Sequence, residues 1–289
     1  MLLKEVELFC AHLRARNYST HTIDSYAIDL RLFFDCAGKG VAQITWRDVD
    51  RFIEQQSQQE LAPTTINRRL NALKRFYDFL VVEKERLAVN PVKPSHRLRL
   101  GKPLPKKLTQ QQLTSLFDQI ENRMDRALFL LMLRCGLRVS EVAHLKASDI
   151  DWDQRMIFIE QGKGRKDRWL YLSQDAVEAL EGCGRQRPDV PGDHFFWNQK
   201  RGDRPLSVKA IQKKMERYAK AAGIKASCHC LRHTFASNLL EEGAEVVSIK
   251  EFLGHSSITA SERYARLSNQ RLKQTYLHTI KKVIAKTKV

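Results

Sequence analysis

Apolar residues recur at helical spacing through the N-terminal part of the chain. Leu2, Val6, Phe9 and Leu13 make one stripe, and Ile23, Tyr26, Leu30 and Phe33 a second. Residues three and four apart share one face of a helix, so each stripe predicts an amphipathic helix with one buried side. Thr45 can cap a third helix starting at Trp46. Pro63 and Thr64 can open a fourth, striped by Ile66, Leu70, Leu73, Tyr77 and Leu80. The pattern predicts a four-helix domain over 1–89. It collapses over 90–107, "NPVKPSHRLRLGKPLPKK", where prolines and basic residues predict an extended, semi-rigid linker and not a core element.

A second domain is predicted over 108–289. Thr109 and Gln112 stand at capping-box spacing. An apolar helix follows over Ala127–Leu133, then a short helix carrying Arg138 and Glu141. Met156–Ile159 and Trp169–Leu172 read as two strands joined by a turn at Gly162, Lys163 and Gly164. Between Lys209 and Lys220 a helix divides into an apolar face (Ile211, Met215, Tyr218, Ala222) and a basic one (Lys209, Lys213, Arg217, Lys220). That division suits a helix lying on a phosphate backbone. The last stripe, Leu272, Tyr276, Ile280, Val283 and Ile284, predicts a terminal helix over 269–286. The fold class is therefore mostly α with a small β-hairpin or sheet, an α+β chain.

Charge narrows the partner. Lys and Arg number 50 against 33 Asp and Glu, a net +17 over 289 residues, which favours a polyanion. The positive residues are spread over several helices and loops, which argues against a membrane surface. Charged residues interrupt the first apolar stretch, so no signal peptide is read, and no run is long and uncharged enough to span a bilayer. The six scattered cysteines fit reduced thiols and a cytoplasmic location. Cys228-His229-Cys230 lacks the C-x-x-C spacing of zinc sites, and no metal or other cofactor is expected. On the fourth helix Arg68, Arg69, Lys74 and Arg75 gather away from the apolar stripe: a solvated face taken alone, a DNA-facing one if the rest of the chain argues for DNA.

Four segments hold the candidate chemistry. "RCGLRVSE" supplies Arg138 and Glu141, "QGKGRKDR" supplies Lys163, "HCLRHTFASNLL" supplies His229 and Arg232, and "LGHSSITASERYARL" supplies His255 and Tyr264. Two arginines can neutralise the non-bridging oxygens of a phosphodiester by paired hydrogen bonds. Histidines and a lysine can move protons, and a tyrosine can act as nucleophile once its proton is taken. Glu141, three residues after Arg138, can hold that guanidinium in place. His229 and Arg232 are likewise three apart, so both can face one phosphate. His233 is expected to point elsewhere on its helix as a structural histidine.

Together these segments resemble the tyrosine recombinase (phage-integrase) family, closest in size and layout to the simple Xer-type members. The resemblance covers essentially the whole chain. It implies that 1–89 is a helical core-binding domain and 108–289 the catalytic domain, the two forming a C-shaped clamp on DNA. It implies Tyr264 as nucleophile, Arg138 and Arg232 as phosphate clamp, His229 as proton acceptor and His255 as a donor to the scissile phosphate. Lys163 would be the general acid. The reaction implied is site-specific strand exchange through a 3′-phosphotyrosine and a Holliday junction, without ATP or metal. The partners implied are duplex DNA with paired half-sites, three further copies of the chain and, in some systems, accessory DNA-binding proteins. The biological outcome would be resolution of dimers or cointegrates, or mobile-element recombination. The terminal helix would dock into a neighbouring protomer. Two other classes share parts of this chemistry, a type IB topoisomerase and a non-catalytic DNA-binding protein on the same scaffold.

Overall fold

A computed structural model describes residues 4–85, 87–101, 107–160, 167–187, 192–199, 201–254 and 265–287. The chain divides into two compact units, Met1–Pro103 and Leu104–Val289.

The first unit is built of α1 (Lys4–Ala15), α2 (Thr20–Ala37), α3 (Trp46–Gln58) and α4 (Pro63–Asp78). Ser19 caps α2 by accepting from the Thr22 amide. At the start of α3 the Asp48 carboxylate reaches back to the Thr45 amide at 2.9 Å. These contacts satisfy amides that a helix start leaves unpaired. Phe9, Leu30, Phe33, Leu70, Leu73 and Phe76 fill the core between the helices. Edge-on contacts such as Phe9 with Phe76 at 5.6 Å set the aromatic packing.

The segment after α4 departs from the semi-rigid linker, outside any core, expected over 90–107. Val92 is buried in this same core. The Asn67 side chain donates to the Leu98 carbonyl and accepts from the Leu98 amide, both at 2.9 Å. A carboxamide sets an N–H donor beside a C=O acceptor as a peptide unit does, so Asn67 pairs with the passing chain like a short strand. Pro94 opens a single 3-10 turn (Pro94–His96), and through Leu98 the segment belongs to the first unit.

The second unit opens with α5 (Gln110–Asp118), α6 (Arg123–Arg134) and the short α7 (Val139–Ala143). Thr109 and Gln112 form the expected capping box. α6 is apolar on nearly every side, with Leu128, Phe129, Leu131 and Met132 buried at the centre of the unit. Next come β1 (Ile150–Asp151), β2 (Met156–Ile159) and β3 (Arg168–Tyr171), an antiparallel sheet in the order β1-β2-β3. β2 and β3 pair with Ile157 opposite Leu170 and Ile159 opposite Arg168. The second strand starts one residue earlier than its apolar run because Arg168 joins the ladder. Helix α8 (Gln174–Gly184), a two-stranded ribbon β4 (Trp197–Asn198) and β5 (Arg201–Pro205), then α9 (Val208–Ala221), α10 (Cys228–Glu241), α11 (Val246–Leu253) and α12 (Ala265–Lys286) complete the unit.

In the single chain the terminal helix packs on its own unit. Tyr276, Ile280 and Val283 of its stripe are in the core, with Ile284 partly buried against it. The cause is a polar lock inside the apolar contact. Tyr276 donates to the Arg134 carbonyl at 3.1 Å. The fully buried Arg134 guanidinium pairs with Asp175 at 2.7 Å and donates to the Thr287 hydroxyl and carbonyl at 2.6 and 2.8 Å. A buried guanidinium left unpaired is costly, so this network holds α12 against its own chain.

Candidate active site

The site grows from a tight turn between α6 and α7. Gly136 has φ +66°, and a Cβ there would lie 2.5 Å from the Phe235 ring on α10. Only glycine combines that backbone conformation with so close an approach. The turn therefore presses against α10, where the Gly136 carbonyl accepts from Arg232. Two residues on, Arg138 is the N-cap of α7 and not a residue within it. Glu141 accepts from the Arg138 amide and from its guanidinium, both at 2.7 Å. One carboxylate thus caps the helix and aims the side chain.

Arg138 also donates to the carbonyls of Leu253 and Gly254 at 2.9 and 3.0 Å. Arg232, buried on α10, donates to the same Leu253 carbonyl. The two guanidiniums meet at one oxygen, at the C-terminal end of α11. Such an end carries unpaired carbonyls and partial negative charge, which suits cations.

Sequence reasoning missed a third arginine. Arg168, at the head of β3, places two nitrogens on the Glu141 oxygens at 3.1 and 2.8 Å and a third on the Phe252 carbonyl at 3.0 Å. A signal for it exists in the strand pattern. Arg168 lies two residues before buried Leu170, so it faces inward, and an inward arginine needs a carboxylate. Burial by itself would raise the Glu141 carboxyl, but the hydrogen bonds and charges of Arg168 and then Arg138 hold it below its usual value. Arg168 and Arg138 share the Glu141 carboxylate, and Arg232 stands beside them on the Leu253 carbonyl, so among the described residues three guanidiniums gather around one carboxylate. Arg232 is lowered to about 10 by burial first and by the Arg138 charge second, so it remains a cation at neutral pH.

His229 lies one turn before Arg232's neighbour on α10 and is exposed. Burial, then the charges of His233, Arg232 and Arg138, lower its pKa and favour the neutral imidazole. His233 does not point elsewhere as expected. Its ring stands edge-on to that of His229 with centroids 4.3 Å apart, because residues four apart on a helix are neighbours. Lys163, His255 and Tyr264 lie outside the described residues.

The candidate DNA contacts sort by exposure. Lys209, Lys213 and Arg217 are exposed on α9, opposite the buried Ile211, Met215 and Tyr218. Arg217 stacks over the Tyr218 ring at 4.8 Å, and the Tyr218 hydroxyl is anchored on buried Asp125 at 2.7 Å. On α4, Arg68, Lys74 and Arg75 are exposed, paired with Asp29, Asp78 and the Tyr18 hydroxyl. Arg69 is a correction to the expected set. Its side chain is 16% exposed and bonded to Gln56, so it ties α4 to α3 and does not face outward. No helix among the described residues is long and apolar enough to cross a membrane.

Comparison with known proteins gives one answer for both units. Residues 106–271 match the model of the phage integrase family, and residues 6–84 that of the phage integrase N-terminal SAM-like domain. The chain is 32% identical to the tyrosine recombinase XerC of Halalkalibacterium halodurans, over 94% of this chain and 95% of that protein. It is 33% identical to the tyrosine recombinase XerA of Pyrococcus furiosus, over 93% and 91%. Among solved structures it resembles a lambda integrase (75-356) dimer bound to a COC' core site. That match has a TM-score of 0.71 and 18% identity, over 88% of this chain and 95% of the other.

Proposed function

The chain belongs to the phage integrase family of tyrosine recombinases, enzymes of site-specific DNA recombination, and on that premise we propose how its residues divide the work. The observation that carries the reading is the convergence of Arg138 and Arg232 on one oxygen, within a cluster that holds three guanidiniums to one carboxylate among the described residues. A scissile phosphate supplies the missing anion. The two guanidiniums hold its non-bridging oxygens, where negative charge is greatest at the pentacoordinate transition state.

Tyr264 attacks the phosphorus while His229 takes the phenolic proton. His255 donates to a non-bridging oxygen. The bond to the 5′ oxygen breaks as Lys163 protonates it, leaving a 3′-phosphotyrosine and a free 5′ hydroxyl. The phosphodiester energy stays in the protein–DNA bond, so a partner strand's 5′ hydroxyl can reverse the step without ATP. Four copies on two DNA sites, each of paired half-sites, exchange one strand pair, pass through a Holliday junction and exchange the second. Lys209, Lys213 and Arg217 on one unit, and Arg68, Lys74 and Arg75 on the other, contact the duplex backbone. The chain works in the cytoplasm, on dimers, cointegrates or mobile elements, with accessory DNA-binding proteins ordering the sites where the outcome requires it.

A plasmid bearing two copies of the site that the protein binds tests the reading. Incubation without ATP is expected to give products joined at a crossover fixed within the site. Relaxed plasmid with no exchanged product contradicts it.

The lowered pKa of His229 gives a second expected outcome. The base must be neutral, so activity is present above its pKa and lost as pH falls through it. The second-order rate of adduct formation reports the free enzyme and should fall on the acid side with a midpoint below about 6.5, the ordinary histidine value. A midpoint clearly above that value would remove His229 from the role.

A further inference from the structure

We propose that Arg168 is a positioning residue of the active site, acting through Glu141 to fix the guanidinium of Arg138. The inference rests on the reading of Arg138 as a phosphate clamp. Four observations carry it.

Arg168 is 9% exposed, too enclosed to contact DNA itself. Its fork engages both oxygens of the carboxylate that also takes the Arg138 amide and guanidinium. An ionised carboxylate accepts about four hydrogen bonds, and two arginines together use that capacity. Without Arg168 the Glu141 carboxylate is held by Arg138 alone, so its last torsion, and the Arg138 guanidinium with it, has more room to move. Next, Arg168, Arg138 and Arg232 bond successive carbonyls at the end of α11: Phe252, then Leu253 and Gly254. Arg168 thereby fixes the oxygen row against which both clamp arginines rest.

The third observation is Gly254, with φ +58°. A Cβ there would lie 3.0 Å from an Arg168 nitrogen, so the backbone is shaped to admit this side chain. The fourth is electrostatic. Placing a third cation beside Arg138 and Arg232 works against the binding of both, and only a geometric return offsets that repulsion. A lysine keeps the charge but has one ammonium where three directed bonds are made.

The test measures single-turnover adduct formation at saturating protein on a nicked DNA site, for wild type, Arg168→Lys, Arg138→Ala and the double variant. Arg168→Lys is expected to bind the site as wild type does. It should cleave about 10- to 100-fold more slowly, the range typical of residues that orient a reacting group's ligand. In the Arg138→Ala background the same change should cost no more than about twofold, since groups acting as a unit are not additive. A neutral methylphosphonate at the scissile position needs less charge neutralisation and should narrow the Arg168→Lys deficit. A sulfur leaving group in place of the 5′ oxygen should not.

Full additivity with Arg138→Ala, or rescue by sulfur, overturns the inference. Should Arg168→Lys fail to fold, Glu141→Gln removes the shared charge at almost constant volume and must show the same non-additivity; additivity there overturns it equally. Wild-type protein that forms no Tyr264 adduct overturns the recombinase site and this inference with it. A wild-type adduct undiminished in Arg168→Lys overturns this inference alone.

Discussion

Tyr264→Phe is expected to abolish the covalent protein–DNA adduct while leaving binding of the DNA site unchanged. Only the phenolic oxygen is lost, and that oxygen makes the bond to phosphorus. The arginine clamp and the exposed cations of α9 are untouched, so affinity does not depend on it. The other tyrosines of the second unit are poor substitutes. Tyr276 is 1% exposed, donates to the Arg134 carbonyl and is pushed far above its ordinary pKa by burial. Tyr218 is spent on Asp125, and burial raises it to about 12. Tyr171 is buried in the sheet and raised for the same reason. An adduct formed by the phenylalanine variant would end the assignment.

Arg232→Ala is expected to slow adduct formation by about 100- to 1,000-fold, the usual loss for one preorganised donor at a developing negative charge. Two separable effects contribute. The guanidinium no longer meets the phosphate, and the carbonyls of Gly136 and Leu253 lose a buried donor. The second effect lowers stability and shows in denaturant unfolding; the first shows only in the rate. A neutral methylphosphonate at the scissile position separates them, because it relieves the need for charge and does not restore the donor lost to the Gly136 and Leu253 carbonyls. Recovery of much of the rate on that substrate is the expected result. A rate within about threefold of wild type on ordinary DNA would mean that Arg232 serves the fold alone.

What the chain discloses by pattern differs from what it discloses by contact. The four N-terminal helices, the α9 stripes and the β2–β3 pairing follow from apolar periodicity, which records which side is buried. Capping at Thr45 and Thr109 follows from local spacing. Arg168 was not found because its partner Glu141 is 27 residues away, and nothing local ties the two. The attachment of Leu98 to Asn67 spans 31 residues and is equally silent. The terminal helix shows the limit most plainly. Its apolar stripe says that a face is buried, not against what, and the Arg134 contacts with Thr287 that tie it to its own unit span 153 residues. Of the six residues expected to do chemistry, Arg138, His229 and Arg232 lie in the described structure, on the α7 and α10 segments that bring the two arginines together.

The most direct test of the central claim is the identity of the bond between protein and DNA. A duplex carrying the bound site, nicked beside the scissile phosphate so that the freed fragment diffuses away, traps the intermediate on wild-type protein. Digestion and mass spectrometry of the trapped species should give one modified peptide, with Tyr264 joined to a 3′ phosphate and a 5′ hydroxyl on the released strand. Attachment at any other residue, linkage to a 5′ phosphate, or cleavage with no protein–DNA bond would contradict it.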